Sequence, residues 1–273
     1  MNYSSSQITW SIPTSGNTHN HPLLLLHGFA GSHRYWNSFL PELEKSFYVI
    51  TPDLPGHGDS RLALPCDLNW IDIVDGLMKV LDTITSQPFT IVGYSMGARF
   101  AMHLVTRYPN RFTRAMFISG SAGFSSEKEK VLRLSQDCEL ANRIVNNGME
   151  WFADFWERLP MFRNRRQLPE FERNSLREEW LKQNPQQLSA GLLLLSVGRQ
   201  EYLIDKLKNI HCPLCFIVGK EDEKYASLLS GYSEMLPASE VELISNCGHD
   251  VPREKPELFL SILNEFVQER KIK

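Results

Sequence analysis

The stretch "VGYSMGARF", residues 92–100, decides how this sequence folds. It contains the pattern Gly-x-Ser-x-Gly around Ser95, between an apolar run and a segment with helical periodicity. A serine in this position is typical of a nucleophile elbow, a strained strand-to-helix turn whose flanking residues must be small. The alternative is a junction whose glycines serve only close packing of the strand on the helix. The strand before Ser95 and the helix after it favour the nucleophile.

Short apolar runs alternate with helical patterns on both sides of this motif. Strands are predicted at residues 22–29, 48–58, 89–95, 112–121, 212–222 and 240–250. Helices are predicted at residues 67–84 and 96–109, and from Pro256 onward. Strands and helices in regular alternation imply parallel strands joined by crossover helices. The sequence therefore predicts an α/β fold with a mostly parallel central sheet and helices on both faces.

One long segment interrupts the alternation. It has no strand pattern, is rich in Arg, Glu, Gln, Leu and aromatic residues, and contains helical patterns at 127–145 and 148–159. About 85 residues are too many for a structureless loop in a compact domain. We therefore predict a helical cap inserted into the α/β core. The predicted parts are a first core segment at 1–122, the cap at 123–208, and a second core segment at 209–273.

An activated serine needs a histidine base and an orienting carboxylate, in the chain order Ser, acid, His. His249 in "NCGHD" is the late histidine that follows a predicted strand. Asp222 follows the preceding predicted strand, with Glu221 beside it as a competing carboxylate. Asp250 is adjacent to the histidine in sequence and could not easily reach the far nitrogen of its ring. The predicted triad is therefore Ser95, Asp222 and His249.

Two backbone N–H groups are expected to form the oxyanion hole of such a site. One belongs to Met96, directly after the serine, and the other to Phe29 in the loop "HGFAGSHRYW". Two further histidines in the first half, His27 and His57, are interpreted as structural residues that fix loops by hydrogen bonding. The predicted oxyanion hole thus depends on the main chain and not on a side chain.

Composition excludes several other classes of function. The net charge of −3 argues against nonspecific nucleic-acid binding. No apolar run is long enough to span a bilayer, and the N-terminus lacks the pattern of a signal peptide, so we expect a cytoplasmic protein without membrane insertion. The five cysteines form no zinc pattern, and no phosphate-binding loop is present. We therefore expect no metal and no cofactor.

Five segments of the chain together resemble sequences of the α/β-hydrolase superfamily. They are "LLLLHGFAGSHRYW", "PDLPGHGDS", "VGYSMGAR", "GKEDEKY" and "NCGHD". One branch is more similar, the 2-succinyl-6-hydroxy-2,4-cyclohexadiene-1-carboxylate synthases of menaquinone and phylloquinone biosynthesis. The shared features are an arginine four residues after the serine, an Asp-x-Lys-aromatic segment at 222–225, and two cap segments, "ADFWERLPMF" and "NPQQLSAGLLLLSVGRQ".

This resemblance implies a lyase reaction and not the cleavage of an ester or amide. The reaction is a 2,5-elimination of pyruvate from a cyclohexene that carries succinyl, carboxylate and enolpyruvyl groups. It implies that Ser95, activated by His249 and Asp222, removes a ring proton as a general base. The oxyanion hole would stabilise the negative charge that develops on the succinyl ketone. The expected partner is therefore a small polycarboxylate substrate.

A substrate with three carboxylates needs fixed cations, and arginine offers paired hydrogen bonds to a carboxylate. Arg99 is one helical turn after the serine. Arg133 in the first predicted cap helix matches a family arginine by spacing, and Lys224 lies beside the acid. For each of them the alternative is a solvated surface charge. Three aromatic residues are expected to line the pocket, with plain packing as the alternative: Tyr94, Phe155 and Trp156.

The sequence departs from the family pattern at one further cap arginine. The position where the family carries it falls near Trp180, and Arg177 and Lys182 are the nearby substitutes. Two other functions therefore stay open. A carboxylesterase or C–C bond hydrolase would use the same triad but would not need Arg99. A ligand receptor with the hydrolase fold would not need to keep the triad.

Overall fold

The computed structural model describes residues 2–5 and 7–268. Its strands are β1 (Asn2–Ser5), β2 (Ile8–Ser11), β3 (Thr14–Ser15), β4 (His21–Leu26), β5 (Phe47–Ile50), β6 (Arg61–Leu62), β7 (Phe89–Tyr94), β8 (Phe112–Ile118), β9 (Leu214–Gly219) and β10 (Glu240–Ile244). Its α-helices are α1 (Leu40–Leu43), α2 (Trp70–Ile84), α3 (Met96–Arg107), α4 (Glu127–Glu157), α5 (Glu170–Leu181), α6 (Pro185–Leu194), α7 (Ile204–Leu207), α8 (Glu223–Met235), α9 (Val251–Glu254) and α10 (Pro256–Gln268). Short 3-10 helices include Pro160–Gln167.

The main sheet has seven strands in the order β10-β9-β8-β7-β4-β5-β3. All neighbouring strands are parallel except β3 and β5. The predicted α/β fold with a mostly parallel sheet is confirmed. Strand β7, which leads into the serine, lies in the middle of the sheet and pairs with β4 and β8. The carboxyl ends of parallel strands meet at one edge, so residues that follow β4, β7, β9 and β10 can come together there.

The core lies on both faces of this sheet. In β4, Leu24 and Leu26 pack into one hydrophobic cluster, whereas Leu23 and Leu25 pack into another. This alternation follows from the two-residue period of a strand. The first cluster includes buried residues of α2, α3 and α8, and the second includes residues of α10. Helices therefore cover both faces, as the continuous apolar character of the strands predicts.

Two helix boundaries differ from the predictions for physical reasons. Helix α2 begins at Trp70 and not at residue 67, because Asn69 and Asp72 form a capping box. The side chain of Asn69 accepts hydrogen bonds from N–H groups of the first turn, and the side chain of Asp72 accepts one from the Asn69 N–H. The helices predicted at 127–145 and 148–159 join as α4. They meet in a kink at Gly148, where φ is +77°.

Between β8 and β9 the described chain forms helices α4 to α7 and no strand. Helix α4 packs against α5 and α6 through a third hydrophobic cluster, which contains Phe152, Trp180 and Leu188. Ala30, from the loop after β4, belongs to the same cluster and joins these helices to the core. The cap boundaries at 123 and 208 stay a prediction. No helix in the described ranges has the length and apolar character needed to cross a membrane.

The burial of His57 and His103 leads us to expect that the protein loses stability in acid. Burial lowers the pKa of His57 and of His103 from 6.5 to about 3. Each therefore stays neutral in the folded protein but binds a proton in the unfolded chain below pH 6.5, so stability present above 6.5 is lost as the pH falls towards 3. At about pH 5 the loss is about 2 kcal/mol for each histidine.

The variant His103→Gln tests this expectation. We expect its free energy of unfolding to fall about 2 kcal/mol less than that of the wild type between about pH 7.5 and about pH 5. Urea unfolding followed by circular dichroism at both pH values measures the difference. The exposed His19 gives the control variant His19→Gln, which should behave like the wild type. Equal losses in His103→Gln and the wild type would contradict the prediction.

Candidate active site

The turn between β7 and α3 holds Ser95 in a strained conformation. Its φ of 53° and ψ of −109° are rarely adopted by a residue with a side chain. The Ser95 N–H donates to the carbonyl of Ile118 at 2.8 Å. A Cβ added to Gly93 would collide with the carbonyl oxygen of Gly97, and one added to Gly97 would collide with that of Leu26. Only glycine fits at both positions, which explains the Gly-x-Ser-x-Gly pattern.

The structure brings the three predicted triad residues together at the carboxyl edge of the sheet. His249 Nε2 lies 2.9 Å from Ser95 Oγ, and His249 Nδ1 lies 2.5 Å from Asp222 Oδ2. The His249 and Asp222 side chains are buried. Glu221, the competing carboxylate, faces Arg163 at 3.8 Å instead. A histidine held between a serine and a carboxylate in this way can take a proton from the serine hydroxyl.

The residues predicted for the oxyanion hole lie beside the serine. Met96 is the first residue of α3, so its N–H has no acceptor within the helix. Phe29 lies in the loop after β4, and both residues line the same cavity as Ser95. His27 fixes this loop, since its Nδ1 lies 2.8 Å from the Gly28 carbonyl and its Nε2 accepts the N–H of Leu54 at 2.9 Å. Burial lowers the pKa of His27, so its ring stays neutral and structural.

A cavity of about 770 Å³ lies over Ser95. Its walls include residues that follow β4, β7 and β9, together with residues of α4 and of the 3-10 helix Pro160–Gln167. Every residue predicted to bind substrate lines it: Tyr94, Arg99, Arg133, Phe155, Trp156 and Lys224. The cavity is therefore both aromatic and cationic, with the triad in its wall.

Arg99 is buried in the cavity wall with only 8% of its surface exposed. Its Nη1 donates to the carbonyl of Leu195 at 2.8 Å, and no described residue pairs it with a carboxylate. Burial, together with the nearby charge of Arg133, lowers the pKa of Arg99 to about 10. Arg133 itself pairs with Asp137 at 2.8 Å. Two cations thus lie close together where only one of them has a carboxylate partner among the described residues, and this part of the cavity favours an anion.

Two other residues predicted to contact the substrate, Lys224 and Trp156, also lie in the cavity wall. Lys224 is exposed at the cavity wall, with its Nζ 6.0 Å from the centre of the Tyr225 ring. Tyr225 is the aromatic residue of the segment 222–225, and the sequence predicts no role for its side chain. Its ring centre lies 5.1 Å from that of His249. Trp156 packs against Phe29 with ring centres 5.2 Å apart. Aromatic residues of α4 therefore contact the loop that contains Phe29, one of the two predicted oxyanion-hole donors.

The two substitutes considered for the missing family arginine are wrong. Arg177 binds Asp154 at 2.7 Å, Lys182 faces Glu178 at 3.6 Å, and neither lines the cavity. Arg165 lines it instead, with Cζ 5.8 Å from the centre of the Trp180 ring. Sequence reasoning missed Arg165 because three arginines occur between 163 and 166, and no pattern tells which one is buried.

Comparisons with known proteins agree with this geometry. The family model described as alpha/beta hydrolase fold matches residues 21–256. A protein of Bacillus subtilis (strain 168), provisionally named a 2-succinyl-6-hydroxy-2,4-cyclohexadiene-1-carboxylate synthase, is 30% identical, over 96% of each chain. The synthase of that name from Enterobacter sp. (strain 638) is 27% identical, over 91% of this chain and 92% of its own. A solved structure described as MenH from S. aureus is 27% identical with a TM-score of 0.88, covering 97% of this chain and 98% of its own.

Proposed function

The chain is an enzyme of the α/β hydrolase fold family, and we propose that it is a lyase of menaquinone or phylloquinone biosynthesis. The proposed reaction is the 2,5-elimination of pyruvate from a cyclohexene with succinyl, carboxylate and enolpyruvyl groups, giving 2-succinyl-6-hydroxy-2,4-cyclohexadiene-1-carboxylate. The observation that carries the proposal is that Arg99 and Arg133 line the same cavity as the Ser95–His249–Asp222 chain. The names of the relatives support the same activity.

In this proposal Ser95 acts as a general base towards the substrate. His249 Nε2 takes the serine proton while Ser95 Oγ removes a proton from a ring carbon. Asp222 stabilises the positive charge that forms on the His249 ring. The electron pair of the broken C–H bond moves through the ring and breaks the C–O bond to the enolpyruvyl group. The departing enolpyruvate takes up one proton at its methylene carbon, which balances the proton that the His249 ring gives up as the triad is restored, and leaves as pyruvate.

The negative charge of the transition state needs stabilisation next to the serine. As the ring proton leaves, charge develops on the oxygen of the succinyl ketone, which conjugates with the ring. The N–H groups of Met96 and Phe29 are the proposed donors to this oxygen. They lie in the wall of the cavity, where a hydrogen bond to an anion is stronger than in bulk solvent. No acyl-enzyme forms in this mechanism, because Ser95 never bonds covalently to the substrate.

The carboxylates of the substrate are proposed to bind at the cationic part of the cavity. Arg99 has no carboxylate partner among the described residues, and Arg133 shares Asp137 with Ser196. An ester hydrolase that acts on apolar substrates gains nothing from burying Arg99, since an unpaired buried cation costs free energy. An anionic substrate removes that cost. Lys224 at the edge is proposed to contribute a weaker and more solvated charge.

The helices between β8 and β9 are proposed to form a cap that excludes water from the reaction. Phe155 and Trp156 of α4 line the cavity, and Trp156 packs against Phe29 of the core. An elimination through an enolate-like state proceeds best in a site closed to solvent, because water competes for the donors of the oxyanion hole. The proposed cap occupies residues 123–208, with the α/β core before and after it.

The proposed function is tested with two substrates in parallel. We expect the wild-type enzyme to release pyruvate from the enolpyruvyl cyclohexene, with an equal gain of diene absorbance, and to hydrolyse p-nitrophenyl acetate only slowly. Lactate dehydrogenase with NADH measures the pyruvate. Rapid ester turnover without pyruvate would establish a serine hydrolase instead. Tight binding of the cyclohexene with no turnover of either compound would establish a ligand receptor.

A further inference from the structure

Arg165 is a buried arginine at the cavity whose hydrogen bonds are incomplete. Its side chain is 10% exposed, and it lines the cavity over Ser95. Its Nε donates to Asp250 Oδ2 at 2.8 Å, and its Nη2 forms an ion pair with the same oxygen at 2.7 Å. Its Nη1 is buried and has no hydrogen-bond partner among the described residues. A guanidinium carries five N–H donors, and leaving the two on Nη1 without an acceptor costs free energy that a carboxylate bound to this guanidinium would remove.

The surroundings of Arg165 hold its guanidinium in one orientation. Its Cζ lies 3.8 Å from the centre of the Phe162 ring, so the planar group stacks on an aromatic face. Asp250 is itself fixed, because it accepts the hydroxyl of Tyr35 at 2.5 Å and its own N–H donates to Glu254. The guanidinium cannot turn Nη1 towards another protein acceptor without breaking these contacts. The free donors are therefore preorganised for a ligand.

Arg165 also stays charged in this setting. Burial alone would lower its pKa, but the charge of Asp250 and the hydrogen bond to Asp250 raise the pKa above its usual value. The Nη2 of Arg165 lies 3.4 Å from the hydroxyl of Tyr94, the residue before the serine. The Phe162 ring under the guanidinium lies 5.7 Å from the His249 ring. The guanidinium of Arg165 is thus next to the reacting groups.

Arg165 and Arg99 occupy different parts of the cavity wall. The charged and polar groups around Arg99 are Arg133, Tyr225 and Asp137. Those around Arg165 are Asp250, Tyr94 and Tyr35, and the two sets have no member in common. A ligand with acidic groups at both ends can therefore meet N–H donors at two places. A carboxylate fits the Arg165 donors best, since a charge-assisted hydrogen bond is about twice as strong as a neutral one.

We propose that Arg165 is a substrate-binding residue whose Nη1 donates to one carboxylate of the polycarboxylate substrate. The identity of that substrate depends on the proposed function, but the carboxylate site does not depend on the elimination itself. Asp250 is the positioning residue that holds the guanidinium. The assignment depends on two observations: Arg165 lines the cavity, and its buried Nη1 has no hydrogen-bond partner among the described residues.

Binding of a stable ligand tests the proposal without any turnover. The probe is 2-succinylbenzoate, an aromatic keto-dicarboxylate, and calorimetry measures its Kd. We expect Arg165→Gln to weaken binding about 10- to 100-fold, as for the loss of a charge-assisted hydrogen bond. Arg165→Lys keeps the ion pair with Asp250 but lacks Nη1, so it should weaken binding at least about tenfold. Arg166→Gln removes the adjacent exposed charge and should leave Kd within about twofold.

Two further ligands separate carboxylate binding from general damage. 4-Oxo-4-phenylbutanoate keeps only the succinyl carboxylate, and 2-butanoylbenzoate keeps only the ring carboxylate. The Arg165 variants should weaken one of them strongly and the other little, because Nη1 binds one carboxylate. Arg166→Gln should bind both ligands within about twofold of the wild type. Unchanged Kd values in the Arg165 variants, or equal losses for both ligands, would overturn the proposal.

These outcomes are distinct from those of the proposed function. A wild-type enzyme that releases no pyruvate would refute the lyase activity, whereas the dependence of probe binding on Arg165 would still stand. An enzyme that releases pyruvate normally but binds the probe equally well with Gln at position 165 would refute the carboxylate site alone. In the lyase assay the Arg165 variants should mainly raise KM, since the carboxylate is bound equally in the ground state and the transition state.

Discussion

Replacement of Ser95 by alanine is expected to lower kcat/KM for pyruvate release by at least about 10³-fold. The residue provides the only atom placed to pass a substrate proton to His249 Nε2 among the described residues, at 2.9 Å. Positioned general bases contribute about 10²- to 10⁴-fold, and triad members act as a unit, so no partial pathway remains. Stopped assays of pyruvate with a large excess of enzyme measure the residual rate.

The control for Ser95→Ala is a ligand-binding measurement, which shows whether the cavity stays intact when activity is lost. Alanine fills less space than serine, and the turn is held by Gly93 and Gly97, so we expect the Kd for 2-succinylbenzoate to change by less than about threefold. Residual pyruvate release above about 10% of the wild-type rate would exclude Ser95 as the base. A loss of ligand binding together with activity would show that the variant damages the cavity and does not test the base.

Replacement of Arg99 by glutamine is expected to lower kcat/KM for the anionic substrate about 10²-fold. The guanidinium is buried one turn from Ser95 and lacks a carboxylate partner among the described residues, so the variant removes a charge from the cavity wall. Hydrogen bonds to charged groups contribute about 1.5–3 kcal/mol, which corresponds to about 10- to 200-fold. Initial rates of pyruvate release at several substrate concentrations separate kcat from KM.

A second arginine of α3 provides the matched control for Arg99. Arg107 pairs with Asp75 at the protein surface, away from the cavity. The variant Arg107→Gln should therefore keep kcat/KM within about twofold. Hydrolysis of the neutral ester p-nitrophenyl acetate should change little in Arg99→Gln, because this compound carries no carboxylate. An Arg99→Gln enzyme with unchanged kcat/KM for the anionic substrate would refute the carboxylate-binding role.

The serine turn and the order of the triad could be predicted because local chemistry determines them. Gly93 and Gly97 are required by the backbone around Ser95, and this requirement appears directly in the sequence. Asp222 and His249 follow strands, and the ends of parallel strands meet at one edge of the sheet. These residues are far apart in the chain, but the fold class alone is sufficient to bring them together.

The Arg165–Asp250 pair could not be predicted in the same way. Asp250 directly follows His249 in the sequence. This position indicates only that the Asp250 carboxylate is a poor partner for the His249 ring. Its actual partners come from distant segments, with Tyr35 and Arg165 as much as 215 residues away. Which of several adjacent arginines becomes buried depends on how the Pro160–Gln167 helix packs on the core. Composition and periodicity carry no information about that packing.

The pairing of β8 with β9 has a consequence for how the chain folds during synthesis. Ile118 and Ile217 are partners in this pairing, and all of helices α4 to α7 lie between them in the sequence. The entropy of closing such a long loop delays the pairing, and until β9 emerges from the ribosome the free edge of β8 can pair with another chain. Asp222 follows β9 and His249 follows β10, so a nascent chain carries the serine turn before it carries the acid and the base of the triad. Catalytic activity therefore reports that roughly the last quarter of the chain, from β9 onward, has joined the sheet.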